Sequence, residues 1–162
     1  MKRIREIVVV LFVFVFVLCD SVSANGMGGS IIIDNAIDGK MYTIYKMLDL
    51  ESFDGDNYSY KISSSEWDEF FDSGDGRFYF DVNSNGGVAF VGDEQSMDLV
   101  SQRALAYAKS HESITKKSQR AVGNVVEFKD LDLGYYLVDS SVGVLCGLTT
   151  TNYVVRVEEK NE

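Results

Sequence analysis

Lys46 is the residue whose neighbours most favour chemistry. In Tyr42-Thr43-Ile44-Tyr45-Lys46-Met47-Leu48 the alternation of a strand sets it on one face with Tyr42, Ile44 and Leu48. An amine held among apolar groups loses its charge by desolvation and becomes a nucleophile. A lysine that lays its stem along a sheet edge and keeps its ammonium in water explains the same pattern more simply. Cys146, His111 and Arg156 form a second set, a thiol, an imidazole and a guanidinium of the kind that performs cysteine transpeptidation. Against it, the thiol sits in the apolar run Gly143-Val144-Leu145-Cys146-Gly147-Leu148, which reads as a small buried hydrophobe. His111 lies between Ser110 and Glu112, where a solvated side chain is the default.

Two oxygen-rich stretches invite a cation. Asp81, Asn83, Asn85 and Gly86 match the first half of an EF-hand loop, but its last ligand position holds Gly92 where a bidentate glutamate is needed. A hairpin turn accounts for the same residues. Asp49, Glu51, Asp54 and Asp56 gather four carboxylates, and a solvated loop explains them more simply than a cation site. No metal and no cofactor is expected.

The elements that must position these residues are mostly strands. Ser30 to Asn35 and Met41 to Asp49 read as two strands joined as a hairpin through Asp38-Gly39, followed by an acidic loop from Asp49 to Asn57 and a strand from Tyr58 to Ile62. Ser63 and Glu66 have capping-box spacing, and Trp67, Phe70 and Phe71 fall on one face of a short helix. Phe78 to Val82 and Val88 to Val91 suggest a second hairpin. The longest helical pattern runs from Glu94 to Ser110, with Met97, Val100, Ala104, Leu105 and Ala108 on one stripe. Val125 to Phe128, Gly134 to Val138 and Tyr153 to Val157 complete the strands. The fold class is therefore mainly β with inserted helices.

Ahead of these elements, Lys2, Arg3 and Arg5 precede the apolar run Ile7 to Leu18 and the small residues Ser21-Val22-Ser23-Ala24. That is the layout of a secretory signal peptide, and the run is shorter than the roughly 20 residues a spanning helix needs. Residues 1–24 are expected to be removed, leaving 25–162 as a single domain. Lys2, Arg3, Arg5, Glu6 and Asp20 leave with it, so the net charge moves from −10 to −11, with 12 basic residues against 23 acidic ones. Such an acidic chain is a poor ligand for nucleic acid or an anionic membrane surface. Cys19 leaves too, so Cys146 has no internal disulfide partner.

Three segments carry a family likeness. Ser30-Ile-Ile-Ile-Asp-Asn-Ala-Ile-Asp-Gly-Lys-Met-Tyr-Thr-Ile-Tyr-Lys46, Ala104-Leu-Ala-Tyr-Ala-Lys109 and Leu133-Gly-Tyr-Tyr-Leu-Val-Asp-Ser-Ser-Val-Gly-Val-Leu-Cys-Gly-Leu-Thr-Thr-Thr-Asn152 resemble, in that order, the N-terminal domain of Gram-positive, sortase-assembled backbone pilins. The resemblance implies an Ig-like β-sandwich and a secreted, non-catalytic structural or adhesion subunit of a surface fibre, associated with the cell wall or pilus. The implied partners are other pilin domains or subunits that are sortase substrates, with a host surface ligand in addition. It also implies an isopeptide bond between Lys46 and Asn152, although Ser140 stands where related domains place the assisting glutamate. The Tyr-Pro-Lys motif and LPxTG signal of full members do not occur in the 162 residues, so a truncated member is the expectation. The alternatives are a secreted host- or glycan-binding module and, more remotely, a sortase-like cysteine transpeptidase.

Intact-mass measurement of the exported protein tests two of these expectations together. A chain beginning at Asn25 reports the signal peptide, and loss of one ammonia reports the Lys46–Asn152 amide bond. An unprocessed mass, or a processed mass with no ammonia missing, overturns the corresponding expectation.

Overall fold

A computed structural model of the chain describes residues 28–160 apart from Asp56, Glu94 and Val142. The signal-peptide expectation for residues 1–24 therefore lies outside the described residues. The protein is a mainly β, Ig-like sandwich with inserted helices. One sheet holds three strands in the order β10-β1-β7, where β1 is Gly29–Asp34, β7 is Val125–Leu131 and β10 is Val154–Glu158. The other follows the path β4-β5-β3-β2-β8-β9, with β2 Met41–Asp54, β3 Asn57–Ile62, β4 Phe80–Val82, β5 Gly87–Phe90, β8 Gly134–Asp139 and β9 Val144–Leu148. β6, Lys116–Arg120, pairs with the first half of β2 on the edge that β3 occupies further along. Among the described residues two α-helices, α1 Asp68–Asp72 and α2 Ser96–Ser110, accompany the sheets, with short 3₁₀ turns beside α1.

The large sheet is buried on both faces. Tyr42, Ile44, Tyr136, Val138, Cys146 and Leu148 meet Ile31, Ile33, Val126, Phe128 and Val157 of the small sheet. On the opposite face Tyr45, Met47, Leu48 and Leu137 meet Trp67, Phe70 and Phe71, together with Val100, Ala104, Leu105 and Ala108 of α2. Strands covered on both sides read as near-continuous apolar runs, and β2 and β8 do. The helices thus form a third layer over the large sheet.

Several expectations change here. Asp38-Gly39 does not turn a hairpin: β1 and β2 belong to different sheets, and the turn carries the chain across the sandwich. It is held by Gly39 N–H donating to the Ala121 carbonyl at 3.0 Å and Gly123 N–H donating to Asp38 Oδ1 at 2.9 Å. The acidic stretch after Asp49 is no loop, because β2 runs on to Asp54 and pairs with β3 through Ser52↔Ser59 and Phe53↔Tyr58. Charge on an exposed strand end stays solvated. Ser63 forms no capping box; its Oγ donates to the Lys46 carbonyl at 2.8 Å. β6 and β9 were not expected from the sequence.

Leu48 also departs from its expected face. The ladder between β2 and β8 shifts register between Lys46 and Leu48, so Met47 and Leu48, adjacent in sequence, both pack against the helical layer. Such a bulge leaves backbone groups outside the ladder that need other partners. The Lys46 carbonyl finds two, the Ser63 hydroxyl and Trp67 Nε1–H at 2.9 Å. Across the same ladder a Cβ at Gly134, whose φ is +143°, would lie 2.1 Å from the Leu48 carbonyl oxygen, so only glycine fits.

Trp67→Phe keeps most of the ring volume and deletes the indole donor, and is expected to cost about 2 kcal/mol in urea unfolding with an unchanged slope. Adding Ser63→Ala leaves the carbonyl without either donor, so the double variant should lose more than the sum of the single losses.

Candidate functional site

Of the residues singled out from sequence, the structure joins Lys46 to Asp49 and gives the others separate roles. Lys46 stays on the inter-sheet face, its ammonium 5.8 Å from the centre of the Tyr136 ring. Its Nζ lies 2.5 Å from Asp49 Oδ1 and 3.8 Å from Asp132 Oδ2. Asn152 is exposed in the turn between β9 and β10, where its carbonyl accepts from Thr149 N–H at 3.0 Å. No hydrogen bond or ion pair joins Lys46 to Asn152 among the described residues.

Cys146 points from β9 into the inter-sheet core and is 3% exposed. Burial pushes its thiol up to about 12 from an ordinary 9.0. His111 caps α2 on the other side of the large sheet, stacked on Tyr107 at 3.9 Å with Nδ1–H donating to the Tyr107 carbonyl at 2.8 Å. Arg156 projects from β10 and holds both carboxylate oxygens of Asp34 at 2.7 Å. A core thiol, a helix cap and a strand-edge ion pair cannot share one substrate, so the three do not assemble a transpeptidase. In the second hairpin, Asn83 Oδ1 accepts from the backbone N–H of Asn85 and Gly87, both at 2.9 Å, which makes it the staple of a turn. Asp49 pairs with Lys46, Glu51 and Asp54 lie on the exposed end of β2, and Asp56 falls outside the described residues.

What the structure adds is an aromatic cleft that sequence reasoning did not locate. Tyr58 and Tyr60 project from one face of β3, as alternation requires, beside Val88, Phe90, Tyr135 and Leu48, around a cavity of about 280 Å³. Tyr60 and Tyr135 meet edge to face at 4.9 Å, and burial pushes the Tyr60 hydroxyl well above its ordinary range. The Tyr58 hydroxyl reaches Thr150 and Thr151, each at 3.2 Å, tying β3 to the turn that carries Asn152. A more open groove of about 570 Å³ adjoins it and shares Tyr58, Tyr60 and Val88, with Glu51, Ser59, Asp81 and Asn83 on its rim. Aromatic faces beside carboxylate and amide groups can stack on and hydrogen-bond a polar ring. The Tyr58-x-Tyr60 spacing was the available signal, but the pairing of β3 with β5 and the approach of Tyr135 from β8 are what wall the cleft.

With this geometry in place, comparison with known proteins adds one finding. The full-length major pilin SpaD from Corynebacterium diphtheriae is similar over 83% of this chain and 30% of its own, at 20% identity and a TM-score of 0.40. The chain spans less than a third of that pilin's length. No family model and no curated protein matches. No helix among the described residues is long and apolar enough to cross a membrane.

The raised Cys146 thiol has a measurable consequence. Between about 9 and about 12 the unfolded thiol has lost its proton while the folded one retains it, so the unfolded state binds fewer protons and stability falls as pH rises through that window. Tyr60, Tyr136 and Lys40 are also raised and act with the same sign at higher pH. Cys146→Ala should therefore flatten, without abolishing, the alkaline loss of stability measured by denaturant titration. A thiol reagent at neutral pH should modify Cys146 only after the protein is unfolded.

Proposed function

We propose that this chain is a secreted, non-catalytic structural domain of the kind that begins a Gram-positive backbone pilin, packing against further pilin domains or subunits in a surface fibre. The observation that carries the reading is that the side chains best suited to catalysis are all engaged in holding the fold. Cys146 fills the inter-sheet core, His111 closes a helix and Arg156 pairs across strands. The two-sheet sandwich agrees with what the three sequence segments imply. The aromatic cleft favours a second reading, a module that binds a host glycan through Tyr58 and Tyr60 above the rim carboxylates of Glu51 and Asp81.

Immunogold labelling and wall fractionation of the producing cells test the first reading. The antigen is expected along surface fibres, in material that resists boiling in detergent; antigen confined to the cytoplasm overturns it. The second reading expects binding on a glycan array that Tyr58→Ala abolishes, and an array without such a signal overturns that reading.

A further inference from the structure

β3 and β5 are neighbours in the large sheet, yet their ladder is short. It holds Tyr60↔Val88 and Lys61↔Gly87, although β3 begins at Asn57 and β5 runs on to Phe90. Pairing with β4 fixes which backbone groups of β5 face the gap. Asn83 N–H donates to the Gly87 carbonyl at 2.9 Å and Val91 N–H to the Tyr79 carbonyl at 2.8 Å. Alternation along an antiparallel ladder then turns the main chain of Ala89 toward β4 and that of Val88 and Phe90 toward β3. Val88 meets Tyr60 there, and Phe90 has no rung among the described residues. A main-chain donor and acceptor are thus left at the mouth of a wedge inside the sheet. Such an edge is a template for one more extended segment.

The two faces of the wedge differ in chemistry. Phe80 and Phe90 stand opposite each other on one face and wall the cavity of about 280 Å³ with Tyr60, Tyr135 and Met97. Asp81 and Ala89 stand opposite each other on the reverse face, in the wall of the groove of about 570 Å³ that Glu51 also lines. Glu51 owes its place to a bulge. Leu50 lies opposite Tyr60 and Ser52 opposite Ser59, so Glu51 is the extra residue, and a bulge re-aims the side chain that it carries. Neither carboxylate forms an ion pair among the described residues, and no lysine or arginine lines either space. An extended segment sends alternate side chains to opposite faces. One lying along Phe90 sets one series in the aromatic cavity and the other over Glu51 and Asp81, where ionised carboxylates accept hydrogen bonds and attract cations.

We propose that the wedge between β3 and β5 is a docking slot for an extended peptide whose side chains alternate between apolar and cationic, joining the sheet at Phe90. The inference goes beyond both readings above. It does not depend on assembly into a fibre, and it gives the aromatic cleft a protein ligand where the second reading gives it a glycan.

Titration of the exported chain with labelled hexapeptides, read by fluorescence anisotropy, tests it. The probe is Lys-Val-Lys-Val-Lys-Val, blocked at both ends. One control is Glu-Val-Glu-Val-Glu-Val; the other is Lys-Lys-Lys-Val-Val-Val, which keeps charge and composition and loses the alternation. The probe is expected to bind about tenfold more tightly than either control and to weaken as salt rises. Glu51→Gln with Asp81→Asn should weaken it roughly fivefold and leave the melting temperature unchanged, since both side chains are exposed. Hydrogen exchange should show the Phe90 amide protected when the probe is bound and unprotected without it. Equal affinity for the block-ordered control, unchanged affinity in the double variant, or a Phe90 amide that exchanges equally fast with and without the probe overturns the proposal. Absence of probe binding overturns it too, and a glycan-array signal in that case leaves a glycan as the occupant of the cleft.

Discussion

The fold depends on β2 being buried on both faces. A strand with one wet face alternates, but β2 must supply side chains to the inter-sheet core and to the helical layer at once. It does so by slipping phase between Lys46 and Leu48, which turns Met47 and Leu48 together toward Trp67 and α2. Beside the slip, Trp67 and Ser63 both donate to the Lys46 oxygen. Trp67 is fully buried against Phe70 and Tyr107, so the donor that satisfies the bulge is also the side chain that anchors the helical insertion. One carbonyl of β2 thus fastens the start of the third layer to the strand that the layer covers.

That coupling explains which parts of the architecture were legible beforehand. β1, β3, β8 and the body of α2 announce themselves by periodicity, and the aromatic triplet Trp67, Phe70 and Phe71 was placed in the core by spacing alone. β6 was invisible because Lys116-Lys117-Ser118-Gln119-Arg120 is exposed at every position, its strand character supplied wholly by hydrogen bonds to β2. β9 was hidden for the opposite reason: five residues including a glycine carry too short a pattern to separate from a buried loop. The Asp38-Gly39 turn has the composition of a hairpin, and only the partners of the flanking strands reveal that it joins two sheets. Local chemistry chooses a turn, but sheet membership is decided by residues far away in sequence.

The candidate site divides along the same line. Residue type identified Cys146, His111, Arg156 and Lys46 as capable of chemistry, and the apolar run around Cys146 already argued for burial. Their mutual geometry was not legible, because it depends on which face of the large sheet each element covers. Cys146 and Leu145 are neighbours on β9, yet one lies between the sheets and the other under the helices. A shift of one residue would have exchanged them. The aromatic cleft has the same origin: Tyr58 and Tyr60 are an ordinary alternating pair until β5 and Tyr135 wall them in.

Glu159 shows how a polar residue can decide a register that apolar residues leave open. Ile31 faces Val155 and Ile33 faces Val157 across a parallel ladder, and a slip of two residues would keep every β10 side chain on its own face and still set one isoleucine against a valine. Hydrophobic burial alone therefore discriminates weakly between the native pairing and its slipped neighbour. The carboxylate of Glu159 does discriminate, because only the native register brings it to Lys40 and Ser141 while its backbone reaches Asp34. A slipped β10 would leave that charge buried without a cation or would expose Val157 to water. Arg156 adds a second constraint by grasping Asp34 from a position opposite Ile32, one diagonal step along the ladder. Burying an ion pair is a weak route to stability but an effective one to uniqueness when the competing states are otherwise near equal in energy. In a domain whose first and last strands lie in parallel, that uniqueness matters most at the seam, since it is where chain closure is made and where a misregistered strand would leave the sandwich unsealed.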